Sequence, residues 1–316
     1  MKICVLDRSS MGADTPFDPF FEFGSVQIYD STSIAEINER VLDADVIITN
    51  KVKITDSVIS RAKNLKLICV FATGYDNIDL VSAREHNVAV CNVPGYSTDS
   101  VALITVATAL SLYSHLFEYR EYVVSGKYTD SGVANCLVPV FHELNGKTWG
   151  IIGLGNIGKS VARVAEAFGM RVLANKRTPT DEYECVDIDR LCRESDIISV
   201  HCPLNDATRN LIDSSKLNLM KKSAILVNEA RGAVLDERAV ADAIKNKTIA
   251  GFGCDVYSTE PFGKEHPYTE IMGLANVILT PHAAWGAYEA RVRCVNTIAA
   301  NIKSFIEGKM LNRVDI

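Results

Sequence analysis

Three polar side chains follow apolar, strand-like runs in the second half of the chain: Arg231, Glu260 and His282. An arginine can bind a carboxylate through two parallel hydrogen bonds, because its guanidinium is fork-shaped and always charged. A glutamate beside a histidine favours the imidazolium, the form that donates a proton. Taken singly, these are more typical of a surface arginine, a loop carboxylate and a structural histidine. Together they form a complete set for hydride chemistry on a substrate that carries a carboxylate.

The three residues share a position in the pattern of elements. They come after the strand-like runs Ala224–Asn228, Ala250–Val256 and Val277–Leu279. A doubly wound sheet presents its ligands at the carboxyl ends of its parallel strands. The sequence therefore predicts that the three side chains meet at one edge of such a sheet.

A glycine-rich turn provides a site for a second ligand. Gly153, Gly155 and Gly158 have the spacing G-x-G-x-x-G, after an apolar strand pattern and before a helical pattern over Lys159–Phe168. In this context the glycines allow a tight turn, the close approach of a pyrophosphate, and close packing of helix on strand. The free N–H groups and positive dipole end of the helix then bind the phosphates. The motif predicts dinucleotide binding.

The residues after the next strand bear on which dinucleotide binds. An NAD-binding fold places an acid here for the ribose diol, but Arg171–Ala174 is followed by Asn175, Lys176 and Arg177. No carboxylate repels a 2′-phosphate at this point, and two cations attract one. The pattern favours NADPH over NADH as the form of NAD(P). The alternative is that both cations face solvent and Asn175 binds the ribose.

Composition narrows the class of protein. The chain of 316 residues is 47% hydrophobic with a net charge of −6, so we expect neither a nucleic acid nor an anionic membrane as partner. Nine cysteines without C-x-x-C pairs are typical of reduced thiols in a cytoplasmic protein, and no metal is expected. The apolar stretch Val101–Phe117 is too short and too polar to span a bilayer. We expect one helix there, buried between domains or subunits.

The order of elements predicts the architecture. Short apolar runs alternate with helical patterns on both sides of the glycine turn, which indicates an α/β protein with two doubly wound parallel-sheet domains. The amphipathic tail Glu289–Glu307 has no strand after it and is expected to return to the first domain. We predict a discontinuous substrate domain, 1–98 plus 289–316, and a nucleotide-binding domain, 99–288.

Several ordered motifs resemble those of the D-isomer-specific 2-hydroxyacid dehydrogenase family over essentially the whole chain. Beside the features above they comprise Ala72–Asp79, Asn92–Tyr96, Glu143–Thr148, His201–Leu204 with Thr208, and Asn228–Gly232. The glycine turn alone is weak evidence, but the motifs in this order and spacing are highly specific. The resemblance implies a flavodoxin-like substrate domain, a Rossmann domain that binds NAD(P), and a cleft between them.

The resemblance also implies roles for individual residues. Arg231 holds a 2-oxo acid by its carboxylate and carbonyl. His282 donates a proton to the carbonyl oxygen as hydride arrives from the nicotinamide, and Glu260 hydrogen-bonds the other ring nitrogen. Backbone N–H groups around Thr73 and Gly74 complete the substrate pocket.

The implied cofactor contacts run through the second domain. Asn156 and Ile157 meet the pyrophosphate, and Asp255 accepts a hydrogen bond from the nicotinamide amide. The whole implied set is Gly153, Gly155, Asn156, Ile157, Gly158, Lys176, Arg177, Cys202, Pro203, Thr208, Glu229, Ala230, Arg231, Asp255 and His282.

Substrate and assembly rest on the same resemblance. Trp285, shortly after His282, resembles the glycerate dehydrogenase (hydroxypyruvate reductase) branch, which implies a small 2-oxo acid such as hydroxypyruvate or glyoxylate. D-lactate and other 2-hydroxyacid dehydrogenases of the family stay alternatives. The NAD(H)-sensing corepressors of the family are an alternative of another class. By analogy, the apolar helix expected at Val101–Phe117 suits a homodimer.

Overall fold

The computed structural model describes all residues from Met1 to Ile316. In chain order the strands are Lys2–Val5 (β1), Ser25–Ile28 (β2), Val46–Thr49 (β3), Leu67–Val70 (β4), Ala89–Cys91 (β5), Thr148–Ile152 (β6), Arg171–Asn175 (β7), Glu184–Cys185 (β8), Ile197–Val200 (β9), Ile225–Asn228 (β10), Gly251–Cys254 (β11) and Val277–Leu279 (β12). The helices are Ile34–Arg40 (α1), Asp56–Ile59 (α2), Leu80–Glu85 (α3), Thr98–Tyr113 (α4), Leu116–Val124 (α5), Lys127–Ser131 (α6), Asn156–Ala167 (α7), Ile188–Glu194 (α8), Ser214–Leu219 (α9), Glu237–Lys245 (α10) and Tyr288–Ile306 (α11). Short 3-10 helices cover Arg8–Met11, Asp18–Phe23, Gly232–Val234 and Pro267–Glu270.

The residues group into two compact units, Met1–Ser97 with Gly286–Ile316, and Thr98–Trp285. The first unit holds a five-stranded sheet in the flavodoxin-like order β2-β1-β3-β4-β5. The second holds a seven-stranded sheet in the order β12-β11-β10-β9-β6-β7-β8. Every strand pair is parallel. The predicted α/β class with two doubly wound sheets is confirmed.

The central strands are apolar on both faces, as parallel sheets require when helices cover them. β3 and β4 are buried along their full length in the first unit, and so are β9 and β10 in the second. The sequence pattern therefore places the carboxyl ends of β9 and β10 at the top of a packed core, where the following residues form the site.

Three helices of the second unit follow an aspartate whose carboxylate accepts a hydrogen bond from an N–H group of the first turn. Asp187, Asp213 and Asp236 cap α8, α9 and α10 in this way. The helix α7 differs, because it begins after Gly155 and no side chain caps it. Its first-turn N–H groups are thereby left for a ligand.

The prediction of one continuous helix over Val101–Phe117 is wrong. α4 ends at Tyr113, and α5 begins at Leu116 after a bend of 63°. Between them His115 has a left-handed φ of 53°, and the Ser114 hydroxyl donates to the Leu110 carbonyl, which competes with the helical ladder. No single helix in the chain is long and apolar enough to cross a membrane; only this bent pair has the length and composition.

Candidate active site

The glycine turn joins β6 to α7 and has the geometry of a phosphate-binding turn. Gly153 has a φ of 97°, and a Cβ atom there would lie 2.5 Å from the Cys202 nitrogen. A Cβ on Gly158 would lie 2.4 Å from the Gly153 carbonyl oxygen, so helix and strand touch. A Cβ on Gly155 would meet nothing within 4 Å. This open space, at the uncapped start of α7 beside Asn156 and Ile157, fits a dinucleotide pyrophosphate.

The end of β7 carries the two cations that the sequence singles out. Asn175 is committed to the turn, since its carbonyl accepts from Gly153 N at 2.8 Å and its side-chain amide donates to Val186 O at 2.9 Å. Lys176 is half-buried and Arg177 is exposed. Neither forms an ion pair with an acidic side chain of the chain, so both are available to an anion.

The loop after β9 packs against the glycine turn. Trp149 Nε1 donates to Ser199 Oγ, which in turn bonds His201 Nε2, both at 2.9 Å. His201 Nδ1 is buried without a partner, and burial lowers the pKa of His201 to about 3. Since the ring is neutral, His201 is not a proton donor at neutral pH.

The rest of that loop is held by a threonine. The Thr208 hydroxyl donates to Pro203 O at 2.6 Å and accepts from Asn205 N at 2.8 Å. Burial raises the pKa of the Cys202 thiol to about 11, so the thiol is protonated. These residues present backbone and a neutral thiol beside Gly153, and no charge.

Arg231 lies on the turn after β10, which a buried amide shapes. Asn228 Nδ2 donates to Arg231 O at 3.0 Å, and Asn228 Oδ1 accepts from Ala230 N at 3.1 Å. The Arg231 guanidinium donates through Nη1 to Ala230 O at 2.8 Å. Its other N–H donors form no hydrogen bond within the chain, which leaves the fork available to a carboxylate.

Asp255, after β11, organises the loop that carries the histidine. Its carboxylate accepts from Thr280 Oγ1 at 2.5 Å, Ala283 N at 2.8 Å and Ala284 N at 2.7 Å, and the residue is 1% exposed. These bonds hold the chain on both sides of His282. The resemblance implies that Asp255 binds the nicotinamide amide, whereas the structure shows most of this carboxylate engaged with the loop.

His282 and Glu260 form a close pair at this end of the sheet. The distance from His282 Nδ1 to Glu260 Oε2 is 2.5 Å, and the side chains are 26% and 29% exposed. Glu260 Oε1 also accepts from Tyr257 N at 3.0 Å. His282 has a left-handed φ of 54°, a strained conformation that the bonds of Asp255 maintain. Its Nε2 has no hydrogen-bond partner within the chain and can face a substrate.

Glu229, one of the implied cofactor contacts, has a buried carboxyl group. The residue is 8% exposed, and both carboxyl oxygens are buried without a hydrogen-bond partner. Burial, and next the negative charge of Asp255, raise the pKa of Glu229 to about 9. Glu229 therefore holds a proton at neutral pH.

A second histidine–glutamate pair lies in the same unit and was missed by sequence reasoning. His266 Nε2 is 3.0 Å from Glu237 Oε2, and the side chains are only 7% and 10% exposed. Glu237 also accepts from Ser258 N at 2.8 Å and Ser258 Oγ at 2.5 Å. The pair ties the segment after β11, which carries Glu260, to the first turn of α10. No local pattern relates two residues so far apart in sequence, so only the fold reveals them.

The two remaining predicted residues lie in the first unit. Thr73 and Gly74 are in the loop after β4, where the Thr73 hydroxyl donates to Val93 O at 2.9 Å and Asn92 Nδ2 donates to Thr73 O at 2.8 Å.

In the whole chain, no group of three or more histidine, cysteine or acidic side chains is placed to hold a metal ion.

Comparison with known proteins identifies the family. The model of the D-isomer specific 2-hydroxyacid dehydrogenase NAD binding domain matches residues 106–284. A hydroxypyruvate reductase of Blautia hydrogenotrophica is 33% identical, with 100% of each chain covered, and a glycerate dehydrogenase of Methylorubrum extorquens is 36% identical, with 99% of each covered. The solved structure of an acyclic imino acid reductase in complex with NADPH and D-Arg has a TM-score of 0.86 at 32% identity, and covers 99% of this chain and 100% of that one. The chain belongs to the D-isomer specific 2-hydroxyacid dehydrogenase family.

Proposed function

We propose that this chain is an NAD(P)-dependent oxidoreductase that reduces a small 2-oxo acid to a D-2-hydroxy acid. The observation that carries the proposal is the His282–Glu260 pair, joined at 2.5 Å with Nε2 of the histidine unpaired. The same unit supplies an uncommitted guanidinium, Arg231, on a neighbouring strand end. The names of the two relatives, a hydroxypyruvate reductase and a glycerate dehydrogenase, support the reaction class.

Arg231, His282 and Glu260 have different roles in the proposed reaction. Arg231 binds the substrate carboxylate through its free N–H donors and orients the neighbouring carbonyl. His282 donates the Nε2 proton to the carbonyl oxygen, and the Glu260 carboxylate stabilises the imidazolium at Nδ1. A bound nicotinamide supplies the hydride to the carbonyl carbon. One hydride and one proton convert the 2-oxo acid to the 2-hydroxy acid, after which His282 regains its proton from water.

The dinucleotide is held, in this proposal, by three groups of residues. The turn would hold the pyrophosphate, and the loop after β9 and the ends of β10 and β11 would supply the other contacts. The residues of the turn are Gly153, Gly155, Asn156, Ile157 and Gly158. Those of the loop after β9 are Cys202, Pro203 and Thr208, and those at the ends of β10 and β11 are Glu229, Ala230 and Asp255. Thr73 and Gly74 are proposed substrate contacts on the resemblance alone.

Lys176 and Arg177 favour NADPH over NADH, because both lack an acidic partner at the end of β7. A solved relative at 32% identity also contains NADPH. We expect Arg177→Ala to raise the KM for NADPH about tenfold, the effect of one charge-assisted hydrogen bond, and to leave the KM for NADH nearly unchanged. Arg193→Ala on α8, an exposed arginine far along the chain from this turn, is the matched control. Equal effects of Arg177→Ala on both cofactors would contradict the preference.

The proposed substrate class is that of the glycerate dehydrogenase (hydroxypyruvate reductase) branch, with D-lactate dehydrogenase activity as the alternative. The test is a steady-state assay of hydroxypyruvate, glyoxylate and pyruvate against both NADH and NADPH, with the chirality of each product determined. We expect the highest kcat/KM with hydroxypyruvate or glyoxylate and a D product. Failure to oxidise either cofactor with any of the three would overturn the enzymatic proposal and favour a binding role.

We further propose a homodimer in a reducing, cytoplasmic location. Support for assembly comes from exposed apolar side chains on α5 and the segment after it: Leu116, Phe117, Val123, Val124, Val133, Leu137, Val138, Val140 and Phe141. So large an apolar surface is typical of a protein interface. α4, by contrast, packs on α7, β10 and β11 within its own unit. The mass of the particle in solution, measured by light scattering, tests the dimer.

The nine free cysteines support the proposed reducing, cytoplasmic location.

A further inference from the structure

Glu229 is a proposed cofactor contact whose buried carboxyl group has no part in the proton and hydride transfer of the proposed reaction. It follows Asn228 at the end of β10, and the register that pairs Asn228 with Cys254 places it next to Asp255. Both of its oxygens are buried and lack a hydrogen-bond partner. A buried polar group in this state costs free energy, which a structural role alone does not explain.

The strand order places Glu229 on the nicotinamide side of the proposed cofactor site. The order reverses between β6 and β9, and a dinucleotide binds across such a switch point. β7, with Lys176 and Arg177 after it, lies on one side of this point, and β10 and β11 lie on the other. Glu229 is therefore on the nicotinamide side of the proposed site. The charge on this side depends on the redox state of the cofactor, because a nicotinamide ring is cationic when oxidised and neutral when reduced.

The charges around Glu229 favour its protonated form in the free chain. The titratable groups on its own loop and on the elements packed against β10 are Arg231, Cys254 with Asp255 and Tyr257 at the end of β11, His201 and Cys202 after β9, and Asp99 and Tyr113 on α4. Burial lowers the pKa of His201 and raises the pKa of Cys202, so both are neutral. Asp255 is held by three donors and adds negative charge. Arg231, the one cation, forms no ion pair with Glu229.

We propose that Glu229 is a redox-linked proton site, which keeps its proton in the free chain and beside a reduced nicotinamide and releases it to water when the oxidised cofactor binds. This inference rests on the proposed function. Only the carboxyl O–H bond breaks, the electron pair stays on the carboxylate, and Glu229 is neither oxidised nor reduced. The driving force is Coulomb attraction between the carboxylate and the cationic ring in a site that excludes water.

Proton release makes the affinity of the chain for NAD+, relative to its affinity for NADH, depend on pH. Since NAD+ and NADH carry the same phosphates, the ratio of their dissociation constants isolates the nicotinamide side. We expect the Kd of NAD+ to fall about 30-fold between pH 7 and pH 9 relative to that of NADH, which corresponds to about 2 kcal/mol. The Glu229→Gln substitution keeps the shape of the protonated side chain and removes the titration, so the ratio becomes constant.

The experiment uses calorimetric titration of the full chain with NAD+ and with NADH at several pH values. His282→Gln is the background, because it removes the proposed proton donor from the site. The comparison is between His282→Gln and His282→Gln/Glu229→Gln. A second measurement needs no substitution. Titration of the unaltered chain with NAD+ in buffers of different ionisation enthalpy gives the number of protons released, which we expect to be close to one near pH 8 with NAD+ and close to zero with NADH.

The outcomes separate this inference from the proposed function. A pH-dependent ratio that disappears with Glu229→Gln, together with proton release specific to NAD+, supports the role of Glu229. Binding of both cofactors with the same pH dependence in the two variants, or no difference in proton release, overturns that role and leaves the proposed function standing. Absence of binding by either cofactor at every pH overturns both.

Discussion

Two histidine–glutamate pairs of the second unit have similar chemistry and different surroundings. His282 and Glu260 are 26% and 29% exposed, and one ring nitrogen of His282 has no partner. His266 and Glu237 are 7% and 10% exposed. Both ring nitrogens of His266 are engaged, because Nδ1 accepts from Tyr268 N at 3.2 Å while Nε2 faces Glu237.

The difference teaches what a proton-donating pair requires beyond its residue types. A buried histidine whose two ring nitrogens both have partners stabilises the fold. Aromatic rings pack around His266, with Phe262 at 4.8 Å and Tyr268 at 4.9 Å between ring centroids. A histidine at a strand end with one free nitrogen can reach a substrate. The buried pair contributes to the exposed pair, since Glu237 holds Ser258, two residues before Glu260.

The strongest test of this contrast is to remove the ring of His282. We expect His282→Ala to lower kcat for 2-oxo acid reduction by about 10²- to 10⁴-fold, the usual contribution of a general acid, with little change in Tm because the side chain is partly exposed. Steady-state kinetics and a thermal melt measure the two effects. Near-normal turnover would show that His282 is not the proton donor.

The complementary change, His266→Ala, is expected to act on stability. It leaves the Glu237 carboxylate buried with one donor fewer, and we expect unfolding free energy to fall by about 1–3 kcal/mol. The effect on kcat should stay within about fivefold. Denaturant unfolding with parallel assays checks this, and a loss of turnover as large as that of His282→Ala would erase the distinction between the pairs.

Sequence reasoning was most successful where a local pattern determines the structure. Alternating strand and helix patterns predicted both parallel sheets, and the position of Arg231, Glu260 and His282 after strand patterns predicted three strand-end residues in one unit. These predictions rest on periodicity and on the rule that parallel strands present their ligands at one edge.

Most of the features that could not be predicted depend on contacts between distant residues. The break at His115 is the exception, because it is a single left-handed residue in an otherwise helical pattern. The bonds of Asp255 to Thr280, Ala283 and Ala284 join different strand ends, and the pairing of Glu237 with His266 joins α10 to a loop. Such contacts exist only once the sheet has assembled, so no spacing in the sequence predicts them.

A further prediction concerns Glu229, the carboxyl group that has no hydrogen-bond partner, in contrast to Glu260 and Glu237. Because the pKa of Glu229 is raised from 4.5 to about 9 in the folded chain, the unfolded chain loses a proton that the folded chain keeps. Stability therefore falls as pH rises through this window, by up to about 1.4 kcal/mol per pH unit. We expect Glu229→Gln to have nearly the Tm of the unaltered chain at pH 5 and a Tm several degrees higher at pH 8. A Tm difference independent of pH would contradict the protonated state of Glu229.

The central claim is that Glu260, and not Glu237, stabilises the histidine that donates the proton. Its most direct test is kcat/KM for hydroxypyruvate reduction in two matched variants, Glu260→Gln and Glu237→Gln. Glu260→Gln removes the carboxylate that accepts from His282 Nδ1, so we predict a loss of about 10²- to 10⁴-fold in kcat/KM, while Glu237→Gln stays within about fivefold of the unaltered chain. Near-normal kcat/KM in Glu260→Gln, or the same loss in both variants, would contradict the assignment.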